Sequence, residues 1–149
     1  MVRAEDVPLF VDKLSDKGID CVGLTGEDLF SEYKLRNIKS KTKIIQKISW
    51  NDKNALFGKP AICLLGKKSL SELKNSIVAI NKKYSEIAET FLTKFPCEKI
   101  YFNGCTETAV ETNIADYVID IVYSGRSAKE AGLCVLEKIF SSDIVAVGK

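Results

Sequence analysis

One stretch of this chain, residues 115–133, restricts the possible fold more than any other. It contains a dense β-branched run from Val118 to Val122, which favours a strand that is buried on both faces. Asp120 interrupts this run, and a carboxylate inside a buried strand needs a partner or a chemical role. A polar segment of four residues, 124–127, follows at once and leads into a helix start. The stretch therefore predicts a strand, a short loop and a helix in direct succession.

The loop after this strand has residues that suit an anion. Gly125 permits a positive φ or a close approach of the backbone, and Ser124 or Ser127 can cap the next helix. The free N–H groups at a helix N-terminus attract phosphate, while Asp120 could hold ribose hydroxyls. The pattern thus indicates a sugar-phosphate site, although an ordinary strand-to-helix connection capped by a serine explains it equally well.

Composition excludes several classes of function. The 149 residues suffice for one domain or two small lobes, and a net charge of +2 gives no reason to expect nucleic acid or a membrane surface as partner. We find no apolar run of spanning length and no leader, so we expect a cytoplasmic protein. The chain has five cysteines without a Cys-x-x-Cys pair, which favours free thiols, and it has no histidine. Chemistry must therefore rest on carboxylates, hydroxyls, lysines, backbone amides or a metal that the substrate brings.

Strands and helices alternate along the whole chain. Helical spacing predicts helices over 6–14, 27–33, 84–95 and 106–112, and Ser69 with Glu72 forms a capping box at one helical turn. Apolar runs predict strands over 44–48, 61–65, 77–80, 100–102, 118–122, 133–140 and 144–147, and residues 18–26 predict a turn that leads into a short buried strand with a glycine-rich end. This alternation predicts an α/β protein with mostly parallel sheets.

The segment from about residue 61 to 140 is the more complete unit. We expect a first lobe made of residues 1–58 and 141–149, with a second lobe, residues 59–140, inserted into it through two crossovers. Ligands of such folds bind in the cleft at the carboxyl ends of strands. In the first lobe, Gly23, Gly26 and Asp28 lie at a glycine-rich strand end. They are either ordinary turn residues or an open backbone with a carboxylate beside a nucleotide.

Residues 107–133 resemble the catalytic region of the ATP phosphoribosyltransferases, the first enzymes of histidine biosynthesis. Members of that family have a glutamate, an apolar strand ending in Asp, a Ser/Thr-Gly-x-Thr loop and a later Gly-Leu. The matching residues here are Glu107, Ala115, Asp116, Val118, Asp120, Ser124, Gly125, Gly132 and Leu133. The segments 3–11 and 20–28 are similar to the family's first helix and its Gly-x-Asp turn. The chain departs from the family at Ser127, where the family has threonine.

The resemblance implies a two-lobed fold like that of the type II periplasmic binding proteins. The first lobe is expected to be incomplete, because the chain starts after the family's N-terminal strand and helix with their Lys-Gly-Arg element. The implied reaction transfers the phosphoribosyl group from phosphoribosyl pyrophosphate (PRPP) to N1 of ATP and releases pyrophosphate. Mg²⁺ would be carried with PRPP and ATP, with no metal ligand from the protein. A homo-oligomer and a separate regulatory subunit are further expectations.

The resemblance also assigns roles to individual residues. Glu107 and Asp120 are implied to be catalytic, at the ribose hydroxyls or the ribosyl centre. The implied substrate-binding residues are Ser124, Gly125, Arg126 and Ser127 around the 5′-phosphate, and Gly23, Gly26 and Asp28 on the nucleotide side. Two alternatives are a non-catalytic phosphate- or nucleotide-binding homologue and a truncated lobe with only a structural or partner-binding role.

Overall fold

The computed structural model describes residues 1–149 and contains two separate β-sheets. The first sheet has three strands in the order β1-β8-β2, namely β1 (Gly23–Gly26), β2 (Lys43–Ile48) and β8 (Ile144–Gly148). The second sheet has five strands in the order β5-β4-β6-β3-β7, namely β3 (Ala61–Gly66), β4 (Ile77–Asn81), β5 (Glu98–Phe102), β6 (Tyr117–Val122) and β7 (Cys134–Ser141).

Five α-helices pack on these sheets. They are α1 (Val7–Asp16), α2 (Glu27–Arg36), α3 (Ser85–Leu92), α4 (Glu107–Glu111) and α5 (Arg126–Glu130). Short 3-10 turns cover Ala4–Asp6, Leu70–Glu72 and Lys82–Tyr84, and the second of these has the predicted capping box. None of the helices has the length and apolar character needed to cross a membrane. All five cysteines are free thiols, as the sequence predicts.

We call the first sheet with α1 and α2 the first lobe, and the second sheet with α3, α4 and α5 the second lobe. The first lobe's strands come from both ends of the chain, and the strands of the second lobe lie between them. Two crossovers join the lobes, one between β2 and β3 and one between β7 and β8. The domain boundaries at residues 58 and 140 stay a prediction.

Strand β6 lies inside the second sheet and is buried on both faces. Val118 and Val122 pack with residues of α4 and α5, whereas Tyr117 and Ile119 pack on the opposite face with residues of α3. The β-branched run thus forms the central strand that the sequence predicts. Burying such side chains stabilises the lobe by about 1.5–3 kcal/mol each relative to leaving them exposed.

The prediction of mostly parallel sheets is only partly correct, because the first sheet is antiparallel and the second is mixed. In the first sheet, β8 pairs antiparallel with both β1 and β2. In the second sheet, β4 pairs parallel with β5 and β6, but β3 runs against both β6 and β7. The reason is the insertion: β3 brings the chain into the second lobe and β7 takes it out. Neighbouring strands that serve as entry and exit run in opposite directions.

The two crossovers are tied to each other by a buried carboxylate, Asp143. Its Oδ1 accepts hydrogen bonds from Lys59 Nζ at 2.6 Å and from the backbone N–H of Trp50 at 2.9 Å. The backbone N–H of Ser142 also donates to the carbonyl of Pro60 at 2.9 Å. The hydrogen bond from Lys59 holds the pKa of Asp143 below its ordinary value, and this outweighs the opposing effect of burial. The connection between the lobes is therefore fixed by charge pairing and backbone hydrogen bonds.

Replacing Asp143 by Asn should lower the free energy of unfolding by about 1–3 kcal/mol at neutral pH. Because the pKa of Asp143 is lowered in the folded state, its contribution is complete above its unfolded pKa, near 3.8, and is lost as the pH falls through the folded value. Chemical denaturation from about pH 7 to about pH 3 measures this difference, with Asp20→Asn at an exposed position as control. A difference that is the same at both ends of this range would contradict the role of the Asp143 charge.

Candidate active site

Asp120 projects from β6 towards the side of the sheet that α4 and α5 cover. It lies two residues from both Val118 and Val122, and side chains at this spacing share one face of a strand. The residue is buried, with 8% of its surface exposed. Oδ2 accepts a hydrogen bond from Thr106 Oγ1 at 2.5 Å, and Oδ1 accepts from Asn81 Nδ2 at 3.0 Å and from the N–H of Ile121 at 2.7 Å. The buried acid therefore lies on the same face of the sheet as α5, and its orientation is fixed by its partners.

The loop after β6 turns through a left-handed residue into α5. Gly125 has φ +77°, a conformation that L side chains rarely adopt, and it is the N-cap residue of α5. Ser124 Oγ accepts a hydrogen bond from the N–H of Arg126 at 3.3 Å. Ser124, Arg126 and Ser127 are exposed. The predicted strand, loop and helix are thus present, with the polar side chains of the loop open to solvent.

Glu107 is the first residue of α4 and lies beside the loop 124–127 in space. It lines a cavity of about 180 Å³ together with Ser124, Gly125, Arg126 and Ser127. Thr106, the residue before Glu107, donates to Asp120. The fold therefore brings five of the predicted site residues to one cavity, and it connects Asp120 to that cavity through Thr106.

The other predicted group lies at the start of α2 in the first lobe. Asp28 is 6% exposed, and its Oδ1 accepts a hydrogen bond from Ser142 Oγ at 2.5 Å. A Cβ on Gly26 would lie closer than 3.0 Å to the Asp28 carboxylate. Gly26 therefore makes room for Asp28, which is anchored to the crossover between β7 and β8.

Tyr84 lies near both Asp120 in the second lobe and Asp28 in the first lobe. The sequence analysis did not identify this residue. Burial raises the pKa of Tyr84 well above its ordinary range, and the charges of Asp28 and Asp120 raise it further. Tyr84 therefore lies near enough to both carboxylates for their charges to affect its pKa. The sequence predicts Tyr84 only as the first residue of the helix over 84–95, and no local signal indicates which acids lie near it.

The larger polar cavity between the lobes was also missed. It has a volume of about 620 Å³ and is lined by Asn81, the last residue of β4, and by Asn103, which directly follows β5. Its basic residues are Arg3, Arg36, Lys82 and Lys83. The position of the two asparagines at strand ends is the signal that could have pointed to this cavity.

Gly23 is explained by packing. A Cβ at this position would lie closer than 3.0 Å to Val7 Cγ1 and at 3.0 Å from Val11 Cγ2, both on α1. The glycine thus lets α1 approach β1 closely. A contact between Gly23 and a nucleotide stays a prediction. No group of three or more His, Cys, Asp or Glu residues in the chain is arranged to hold a metal ion.

Two α/β lobes joined by two crossovers, with polar residues between them, define a two-lobed binding-protein-like fold. Solved structures agree: the periplasmic aliphatic sulphonate binding protein SsuA from Escherichia coli has a TM-score of 0.56 at 15% identity, covering 95% of this chain and 52% of that chain. An ATP phosphoribosyl transferase (HisG:HisZ) complex from Thermotoga maritima has a TM-score of 0.75 at 23% identity, covering 99% of this chain and 66% of that chain. The two-lobed fold that the sequence predicts is therefore confirmed.

The chain belongs to the ATP phosphoribosyltransferase family, whose profile matches residues 3–149. A curated ATP phosphoribosyltransferase from Caldicellulosiruptor bescii is 32% identical over 150 residues, covering 94% of this chain and 62% of the relative. Another, from Dictyoglomus thermophilum, is 31% identical and covers 99% of this chain and 65% of the relative. The family resemblance is thus confirmed, and the chain spans less than two thirds of the length of these relatives.

Replacing Gly23 by Ala should lower the free energy of unfolding by about 1–3 kcal/mol, because the added methyl group overpacks the contact between α1 and β1. Gly104→Ala is the matched control, since a Cβ there would meet nothing within 4 Å. Urea denaturation of both variants measures the difference. Equal stability of the two variants would show that Gly23 is not required for helix packing.

Proposed function

We propose that this protein transfers the phosphoribosyl group from PRPP to N1 of ATP and releases pyrophosphate, the first step of histidine biosynthesis. One observation carries the proposal beyond family membership. Glu107 and the loop 124–127 line a single cavity, and Asp120 lies on the same face of the sheet. A sugar phosphate needs hydrogen-bond acceptors for its hydroxyl groups and hydrogen-bond donors for its phosphate within one site. This arrangement supplies both.

Asp120 is suited to hold a ribose hydroxyl. A carboxylate has about four acceptor positions on its two oxygens. Oδ1 accepts two hydrogen bonds and Oδ2 accepts one, from Thr106. One position on Oδ2 is thus left for substrate, while the other bonds fix the side chain before binding. Glu107, which lines the cavity, would act at the ribosyl centre.

The loop 124–127 would take the 5′-phosphate. The hydroxyls of Ser124 and Ser127 are exposed donors, and the amides at the start of α5 favour an anion. Arg126 is 84% exposed in its side chain and has only a distant partner, Glu130 at 4.0 Å. Its guanidinium is therefore available to a phosphate.

The nucleotide would lie on the first-lobe side of the cleft, near Gly26 and Asp28. The large polar cavity between the lobes opens beside α2 and contains four basic residues. A nucleotide bound there would be positioned against a sugar held by the second lobe. The attack of N1 of ATP on the phosphoribosyl group then takes place between two bound substrates. For such a reaction, orientation alone can account for several kcal/mol of the barrier.

The chemistry fits a chain without histidine. The displacement passes through a transition state with oxocarbenium character, which carboxylates stabilise by charge. Mg²⁺ would arrive with PRPP and neutralise the pyrophosphate that leaves. We also propose a cytoplasmic homo-oligomer. A separate regulatory subunit is a further proposal, supported by the complex named for the Thermotoga maritima structure.

A pyrophosphate-release assay with ATP, PRPP and Mg²⁺ tests the reaction. Turnover is expected with both substrates and Mg²⁺ present, and removal of Mg²⁺ by a chelator should abolish it. Folded protein that binds PRPP without releasing pyrophosphate would instead support the non-catalytic alternative.

Ser127→Ala should weaken PRPP binding by about tenfold, because it removes one hydroxyl donor from a charged phosphate. Isothermal titration calorimetry measures the affinity, and Ser49→Ala, at an exposed position in the first crossover, is the matched control. Asp120→Asn should also weaken binding by about tenfold relative to exposed Asp20→Asn. An unchanged affinity in both site variants would show that PRPP does not bind in this cavity.

A further inference from the structure

Helix α2 presents three charged residues at four-residue spacing, Asp28, Glu32 and Arg36, which places them on one side of the helix. Glu32 is only 3% exposed. Glutamate is rarely buried to this degree unless it is paired. Glu32 also lines the polar cavity between the lobes, but the proposed chemistry gives it no catalytic role, so its burial requires another explanation.

Three hydrogen-bond donors to Glu32 lie in the other lobe, at the first turn of α3. Its Oε1 accepts a hydrogen bond from the N–H of Glu86 at 2.7 Å, and its Oε2 accepts one from the N–H of Ile87 at 2.9 Å. Ser85 Oγ also donates to Oε1 at 3.3 Å. The N-cap residue of α3, Tyr84, makes no side-chain cap of its own. Glu32 thus caps α3 across the boundary between the lobes, where the helix dipole favours a negative charge.

Arg36 reinforces this contact one turn further along α2. It donates to Glu32 Oε1 at 2.8 Å and also to the carbonyl of Lys82 at 2.6 Å and to Ser85 Oγ at 2.9 Å. Lys82 lies between β4 and α3, and Ser85 is the first residue of α3. Asn81, the last residue of β4, precedes Lys82 and donates to Asp120. Hydrogen bonds from Arg36 to Lys82 and from Asn81 to Asp120, joined by the peptide bond between Asn81 and Lys82, therefore connect α2 to the buried acid of the second lobe.

We propose that Glu32 is a positioning residue that sets the separation of the two lobes. Asp28 lies one turn before Glu32 on the same rigid helix, so fixing Glu32 to α3 fixes the distance from Asp28 to Asp120. The cleft between them is where the proposed function places the nucleotide opposite the sugar. The catalytic consequence rests on that proposed function, whereas the effect on lobe separation does not.

The test compares Glu32→Gln with Glu98→Gln, a matched change at an exposed position. Glutamine keeps the size of the side chain but removes the charge and turns an N–H₂ group towards one of the two amides of α3. We expect kcat for pyrophosphate release to fall by about 10- to 100-fold, because a displacement of about 1 Å between reactants costs that much. The PRPP dissociation constant should stay within about twofold of that of Glu98→Gln, since the PRPP site lies within the second lobe.

Small-angle X-ray scattering of the ligand-free proteins gives a second readout. Glu32→Gln should have a larger radius of gyration than Glu98→Gln, because the lobes separate. Equal kcat and equal radius of gyration in the two variants would overturn the proposal. If the wild-type protein releases no pyrophosphate, the proposed function fails and the scattering result alone decides the role of Glu32.

A second variant covers the case in which Glu32→Gln does not fold. Arg36→Ala leaves the cap in place but removes the donors to Lys82 and Ser85, and the Arg36 side chain is 45% exposed. It should change kcat and the radius of gyration in the same direction by a smaller amount, about twofold to fivefold in kcat. Values equal to those of the wild-type protein would then overturn the proposal.

Discussion

The buried carboxylate of Asp120 is the interaction on which the rest of the site depends. It receives hydrogen bonds from the end of β4, through Asn81, and from the start of α4, through Thr106. A buried charge of this kind is tolerated only if such partners are present. The requirement therefore fixes the relative positions of the two segments, and with them the position of Glu107 beside the loop 124–127. The geometry of the candidate site therefore follows from the need of one buried carboxylate for hydrogen-bond partners.

The same requirement operates at the contacts between the lobes. Asp143 joins the two crossovers through Lys59 and Trp50, and Glu32 caps α3 from the opposite lobe. Each is a carboxylate buried between elements that are distant in the sequence. Hydrogen bonds to charged groups are strong when they are shielded from water, and they are directional. They therefore specify how the lobes are arranged, which apolar packing alone would leave less well defined.

The elements of the fold could largely be predicted from the sequence, because local patterns determine them. The β-branched run of β6 and the capping box of Ser69 and Glu72 are both present in the structure. Strand direction was predicted less well. Alternation of strands and helices does not reveal that β3 lies between β6 and β7 and runs against both.

The strand, loop and helix around residues 124–127 were predictable because these residues are close in the sequence. Glu32 was not recognised, because its partners are more than 50 residues away and its local surroundings are those of an ordinary helix. Gly23 illustrates the opposite case. The sequence pattern indicated a role beside a nucleotide, but the close contact of Val7 with the backbone of Gly23 is enough to explain a glycine at this position.

The central claim is that one cavity in the second lobe binds both the ribose and the phosphate of PRPP. A crystal structure with PRPP bound tests it most directly. We predict the 5′-phosphate within hydrogen-bond distance of Ser124 and Ser127, and a ribose hydroxyl on Oδ2 of Asp120. A phosphate bound instead among Arg3, Lys82 and Lys83, with the loop 124–127 left empty, would contradict the claim.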